Sequence, residues 1–345
     1  MTALTAPAPS AARQPVPWTK LAWVTWRQHR VALGGAAALL GALSLYMLIA
    51  GLKMRAAMDS LGLNTCHPVT AARCATQLQI FQTANAVYYT TAQTVSGVLQ
   101  VVPVLIGVFA GAPLLARELE TGTFRFAWTQ GCGRTRWTLA KLVLLAAVLT
   151  GAAAAFSLLF SWYYQPFFAQ GQDGVLAPQL FDLRGVAFAA WTLAAFAIGA
   201  FAGVLIRRTV PAMAAALAVW AGLDLATALF LRKHYQAPVT STTLALKQGT
   251  GIPWVLSQWW TGPDGHVVGP SAISAVLGQM NAGAGRRSSN LADLQWLAQR
   301  HYTQWVSYQP ADRFWHFQLI EGGWLLTLAL LLGAATVWFV RRRAA

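Results

Sequence analysis

Charge is scarce in this chain, and acid is scarcest. Its 345 residues hold 10 Asp plus Glu against 25 Lys plus Arg, so only 10% are charged, where a soluble domain has roughly 25%. With 56% hydrophobic residues and a mean hydropathy of +0.47, this excludes a disordered chain and argues against a water-soluble globule. Cysteine is also short. Three residues are too few for a disulfide framework or a four-cysteine zinc site. None of the lysines (Lys20, Lys53, Lys141, Lys233, Lys247) follows a glycine, so the Gly-x-x-x-x-Gly-Lys-Ser/Thr phosphate cradle is missing and ATP hydrolysis by that chemistry is excluded. Neither His-Glu-x-x-His nor Gly-x-Ser-x-Gly occurs. His234, His266, His301 and His316 lack metal-ligand spacing, so no metal site is expected. A net charge of +15 invites a nucleic-acid reading, but no basic stripe interleaved with aromatics marks such a surface.

What is present is long apolar runs. A membrane-spanning helix needs about 20 such residues, and six runs qualify, at about 31–52, 95–116, 142–162, 186–206, 210–231 and 319–340. The predicted fold class is therefore an all-α integral membrane protein with six transmembrane helices. Only Thr209 and its neighbours separate runs four and five, which predicts a tight antiparallel hairpin. If both termini lie inside, the short inside segments carry Arg13, Lys20, Arg27, Arg30, Arg117, Arg125, Arg134, Arg136, Lys141, Arg207, Arg208 and Arg341–Arg343. Basic density is then about threefold higher inside than outside, which predicts an N-in, C-in topology.

Residues 1–16, rich in Ala and Pro, are expected to be a disordered tail, and 17–345 a single transmembrane domain. No cleavable signal peptide is evident. Over Pro17–Arg30, Trp18, Leu21, Ala22 and Trp26 share one helical face, with Lys20 and Arg27 opposite, which predicts a short helix lying in the inner interface. Outside, the first loop should hold a helix over Gln77–Tyr89, and the oxidising side permits a bridge between Cys66 and Cys74; Cys132 falls inside. The long outer loop, about 232–318, contains a Gly/Pro-rich part (Gly249–Gly285). A helix is predicted near Leu291–Tyr308, with Leu291, Leu294, Leu297, Ala298, His301 and Trp305 as its stripe and Pro310 as its stop. Within the membrane, Asp224 is the polar residue that demands an explanation: a structural partner such as Arg184 or a backbone cap near the outer face, or contact with a cargo. Glu321 falls at the hydrated outer end of helix six. Pro103 should kink helix two. Gly107-x-x-x-Gly111 and Gly199-x-x-x-Gly203 permit close helix approach, each a candidate dimer face.

The inside segment between helices two and three reads Ala116-Arg-Glu-Leu-Glu-Thr-Gly-Thr-Phe-Arg-Phe-Ala-Trp-Thr-Gln-Gly-Cys-Gly-Arg-Thr-Arg-Trp-Thr-Leu-Ala-Lys141. It resembles the cytoplasmic loop of ABC transporter permeases of the type 2 exporter family, especially actinobacterial ones. The matching positions are Glu118, Glu120, Gly122, Thr123, Trp128, Thr129, Gln130, Gly131, Arg134, Trp137 and Lys141. Thr25-Trp-Arg-Gln-His-Arg30 and Tyr308-Gln-Pro-Ala-Asp-Arg-Phe-Trp-His-Phe-Gln318, with Glu321, are similar to the same family. The Gly131-Cys-Gly133 turn departs from it by its flexibility. The resemblance implies a six-span permease with an elbow helix (Trp18, Trp26, Arg27, Arg30) that works as a homo- or heterodimer in a bacterial cytoplasmic membrane. Each subunit would dock an ABC ATP-binding subunit, present in two copies, which holds ATP and Mg; this chain would bind no cofactor. The docking loop would comprise Glu118, Glu120, Gly122, Thr123, Phe124, Arg125, Trp128, Gln130 and Arg134. The acids would offer charge-assisted bonds to the partner and the aromatics apolar anchors. A drug, antibiotic, peptide or lipid would suit the apolar spans as cargo. The alternatives are a sensor, assembly or immunity protein whose outer loop binds a ligand without net transport, and a membrane hydrolase or transferase built on that loop.

Overall fold

The computed structural model describes residues 18–65, 74–122, 133–247, 252–284 and 290–343. Six helices among them are long and apolar enough to cross a membrane: Ala37–Ser60, Ala86–Thr121, Thr135–Ala169, Ala187–Ile206, Thr209–His234 and Ala311–Arg342. They are called spans one to six, and the bundle's ends are named inner and outer after the expected orientation.

Span one belongs to a single helix, α1 (Trp18–Ser60). Its 43 residues rise about 65 Å at 1.5 Å each, twice the roughly 30 Å of a bilayer core. The expected separate elbow is corrected here: Trp18–Arg30 continues α1 without a break. No Gly or Pro occurs between Trp18 and Leu33 to interrupt the backbone hydrogen bonds. Trp26, Arg27 and Arg30 are exposed on this extension, and the Arg27 guanidinium lies 5.3 Å from the Trp23 ring centre.

The first outer loop holds two helices rather than one, α2 (Ala75–Ala84) and α3 (Ala86–Leu99), hinged at the buried Asn85, whose side-chain nitrogen donates to the Phe81 carbonyl at 2.9 Å. Cys74 is buried and disulfide-bonded; Cys66 lies outside the described residues, as does Cys132. Span two starts with α3 and is interrupted at Gln100–Val101, just before Pro103, whose ring cannot donate to the helix. It continues as α4 (Val102–Ile106), one π-helical turn (Gly107–Gly111) and α5 (Ala112–Thr121).

Span three is the helix α6 (Arg134–Ala169), longer at both ends than its apolar run. Its outer turns are held by packing: Phe160, Tyr163, Tyr164 and Phe167 are buried against α1 and α3 residues such as Met47, Met54 and Leu99. The Asp173 carboxylate accepts from Tyr164 (2.6 Å) and Gln93 (3.0 Å), tying the following loop to α3.

Span four is α7 (Ala187–Ile206) and lies at the centre of the bundle, with Trp191, Ala194, Ala195, Phe196 and Ala200 buried. Arg207 turns the chain with φ +59°, Arg208 is extended, and α8 (Thr209–Ala226) begins at once. The predicted tight hairpin is thus present. Span five continues through a π turn (Thr227–Leu231) to a short turn at Arg232–His234.

The expectation of an all-α protein is corrected outside the bundle. Between spans five and six a four-stranded antiparallel sheet has the order β1-β4-β2-β3. Its strands are β1 (Val239–Thr242), β2 (Trp254–Thr261), β3 (Val267–Val268) and β4 (Thr303–Gln309). Helices α9 (Pro270–Ala284) and α10 (Asn290–Gln299) interrupt it. The helix predicted to Tyr308 stops at Gln299. His301 adopts φ +63°, its N–H bonds to the Ala298 carbonyl, and that of Tyr302 bonds to the Leu297 carbonyl, a left-handed helix stop made without glycine. Beyond it Thr303, Trp305, Val306 and Tyr308 are β-branched or aromatic, residue types that favour strands, and the segment pairs with both β1 and β2. The chain re-enters the bundle as α11 (Phe314–Arg343), which carries span six.

Candidate functional site

Two polar constellations hold the ends of the bundle. The inner one lies where spans two, three and five meet. Gly122, with φ +71°, ends α5 in the left-handed conformation that glycine adopts without strain. One turn earlier, Glu118 forms an ion pair with Lys141 of α6 and accepts from Trp137 Nε1 at 3.3 Å. Lys141 is buried, and its ammonium lies 4.5 Å from the Trp137 ring centre. Glu120 Oε2 accepts from the Thr209 backbone N–H (2.9 Å) and Oγ1 (2.7 Å). It thereby supplies the acceptor that the first turn of α8 lacks, and its negative charge suits a helix N-terminus.

The two acids assigned by sequence to a partner's cations are therefore engaged by this chain's own groups. Trp137 and Lys141, which the resemblance includes, complete the Glu118 cluster. Arg134 opens α6. Thr123, Phe124, Arg125, Trp128 and Gln130 lie outside the described residues.

The outer constellation centres on Arg232, at the end of span five and 1% exposed. Glu321 of α11, fully buried, grips it with both oxygens: Arg232 Nη2 donates to Oε1 at 2.7 Å and Nε to Oε2 at 2.9 Å. Trp191 Nε1 donates to Oε1 at 2.8 Å and the Tyr235 hydroxyl to Oε2 at 3.0 Å. Asp182, from the loop before span four, forms a second ion pair with Arg232, and the Phe181 ring centre lies 4.5 Å from the guanidinium carbon. Burial pushes the Asp182 carboxyl up to about 7; Arg232 pulls it down and the neighbouring Glu321 carboxylate adds to the rise. A buried carboxylate needs this many donors because nothing in an apolar interior replaces its lost hydration.

Asp224 lines a cavity of about 110 Å³ beside this cluster, together with Asp182, Trp191, Trp220 and Arg232. No hydrogen bond or ion pair engages it among the described residues. Arg184, its expected partner, instead lies between two rings, 4.1 Å from the centre of Phe168 and 4.6 Å from that of Phe314. Glu321, expected at a hydrated end, is fully enclosed. The Arg232–Glu321–Asp182 cluster escaped the sequence reading because an arginine after an apolar run reads as a topology signal. The three residues come from distant segments, and no local spacing announces them.

The two Gly-x-x-x-Gly motifs were each candidate dimer faces; the structure packs them against each other. A methyl built on Gly199 would stand 2.7 Å from the Ala112 backbone nitrogen and would also clash with the Gly107 carbonyl. One built on Gly107 or Gly111 would stand 2.6 Å from the Ala195 or Phe196 carbonyl. Small residues thus bring spans two and four into backbone contact. Among the described residues no group of His, Cys, Asp or Glu is arranged to hold a metal ion.

Comparison with known proteins agrees with this architecture. Residues 37–232, more than half of the chain, match the family described as ABC-2 membrane transporter related. The match runs from span one to Arg232 and stops before the outer sheet. No curated protein and no solved structure matches the chain. With its six spans, this chain is a multi-pass membrane permease subunit that belongs to the ABC-2 membrane transporter related family.

Proposed function

We propose that this permease is the transmembrane half of an ATP-driven exporter in a bacterial cytoplasmic membrane. It carries a hydrophobic or amphipathic cargo and works with a separate ABC subunit that holds ATP and Mg. Two ATPase copies and a second permease subunit, identical or related, complete the assembly. The observation that supports this reading is the inner corner. The segment 123–132 joins spans two and three, and both of its flanks are tied down: Glu118 to Trp137 and Lys141, Glu120 to the start of span five. A displacement of that segment by a closing ATPase pair is delivered to three spans together. In this assignment Thr123, Phe124, Arg125, Trp128, Gln130 and Arg134 meet the ATPase, while Glu118 and Glu120 act as struts that pass the motion on.

The test is affinity purification from native membranes in mild detergent, with mass spectrometry of co-purifying chains and an ATPase assay. A near-stoichiometric ABC ATPase is expected with the wild type and absent with Phe124→Ala/Trp128→Ala. Glu118→Gln/Glu120→Gln should retain the ATPase and lose cargo export. A folded protein that brings down no ATPase overturns the proposal. The folded outer sheet favours a second reading, a ligand sensor using the same ATPase. In that case ATP turnover would respond to ligand without net cargo movement.

A further inference from the structure

Spans three, four and six leave an apolar groove of about 450 Å³ on the inner half of the bundle. Small residues make the room: Ala200 of α7 and Gly333 and Ala334 of α11 line it, opposite Leu142 of α6. A methyl built on Gly333 would meet nothing within 4 Å, whereas one on Gly199, on the same central helix as Ala200, collides with span two. Span two closes one side of α7, and the groove lies on the side where α7 meets α6 and α11.

The groove has a direction. Along α11 it runs from Ala329 to Arg341, about 18 Å at 1.5 Å per residue, against about 15 Å for half of a bilayer core. It thus reaches from the midplane to one interface. At that end stands Arg341, the single charged residue in its lining, with no hydrogen bond or ion pair among the described residues. Trp338 lines the same mouth and carries Arg342 over its ring, 4.8 Å from the centre. Tryptophan marks headgroup depth, and basic pockets between spanning helices on the inner side suit anionic lipid heads. No carboxylate lines the groove to oppose one.

We propose that this groove is a binding site for one anionic phospholipid of the inner leaflet, its phosphate on Arg341 and an acyl chain lying along α6, α7 and α11. The assignment to the inner leaflet rests on the proposed inward C terminus.

The intact protein, purified in mild detergent with whatever partners accompany it, is washed, and its retained phospholipid is counted per chain by mass spectrometry. Phosphatidylglycerol and phosphatidylcholine are then titrated back. The wild type should retain one anionic phospholipid per chain and prefer phosphatidylglycerol. Each arginine at the mouth contributes roughly a fivefold preference. Arg341→Gln/Arg342→Gln should bring the two lipids close to parity. Gly333→Leu, which points into open space rather than into the core, should fill the groove and abolish retention of both at an unchanged unfolding temperature. Equal retention in wild type and Gly333→Leu, no lipid preference in the wild type, or a retained amphiphile that is not a phospholipid overturns the site. Labelling of Ala345→Cys in intact cells, in a background lacking Cys132, tests orientation separately. Reaction with an impermeant thiol reagent from outside overturns the inner-leaflet assignment, whatever the retention data show.

Discussion

Spans four and five are close in mean hydropathy, 2.0 and 1.8, yet 67% of the apolar window of span four is buried inside the protein and only 11% of that of span five. Lipid is as apolar as leucine, so hydropathy alone cannot decide which helix takes the centre. Packing decides. Span four offers Gly199 and Gly203 to span two and also packs against spans three, five and six. Span five presents Val210, Leu217, Val219, Leu225 and Phe230 to the surroundings. Its other face packs Ala212 and Ala216 against Ala112, Ala116, Ile198 and Ala202 of spans two and four, and its ends carry the Glu120 cap and the Arg232 cluster.

The largest expected effect breaks the outer cluster. Arg232→Met leaves Glu321 enclosed with its charge uncompensated and should cost about 3–5 kcal/mol, measured as a fall in thermal midpoint in detergent. Pairing it with Glu321→Gln should recover part of that loss. Next comes the helix contrast itself. Gly199→Leu should cost about 1–3 kcal/mol by overpacking. Gly222→Leu on span five, where a Cβ meets nothing within 4 Å, should stay within about 0.5 kcal/mol. Comparable losses at both positions would break the comparison.

A smaller effect is a pH slope from Asp182. Burial raises its folded pKa to about 7, above the roughly 3.9 of an unfolded aspartate. Its contribution to stability is therefore complete below about pH 4 and lost as pH rises through 7. Asp182→Asn should flatten that slope between pH 4 and 7 in thermal-midpoint measurements. The smallest effect, of opposite sign to Arg232→Met, is expected for Asp224→Asn. Removing a carboxylate without a hydrogen bond from the apolar phase should stabilise by up to about 1 kcal/mol, read as a slightly higher midpoint. A marked loss of stability would instead show that Asp224 has a partner in the assembled transporter.

Much of the bundle was legible from composition along the chain. The boundary of span four was placed within one residue at each end, because arginines stop an apolar run sharply there. The span four–five hairpin followed from the three residues, 207–209, between the two apolar runs. The inner segment was readable as a family signature, while the roles of Glu118 and Glu120 were not: their partners, Lys141 and Thr209, lie on other helices. The strand at Thr303–Gln309 was misread because the helical stripe that begins at Leu291 is real for its first turns. Pairing with β1 and β2, both over 40 residues earlier in the chain, draws the next residues into a sheet.

By itself, the amino-acid sequence determined that this chain has six segments long and apolar enough to cross a membrane and lacks the Gly-x-x-x-x-Gly-Lys-Ser/Thr motif, since both depend on local composition and spacing. Tertiary structure alone decided which helix takes the centre, that the glycine motifs meet each other, and that Arg232, Glu321 and Asp182 share one buried cluster. The physical reason is that backbone approach and charge neutralisation in an apolar medium act between residues far apart in the chain, and their geometry exists only after the helices have packed.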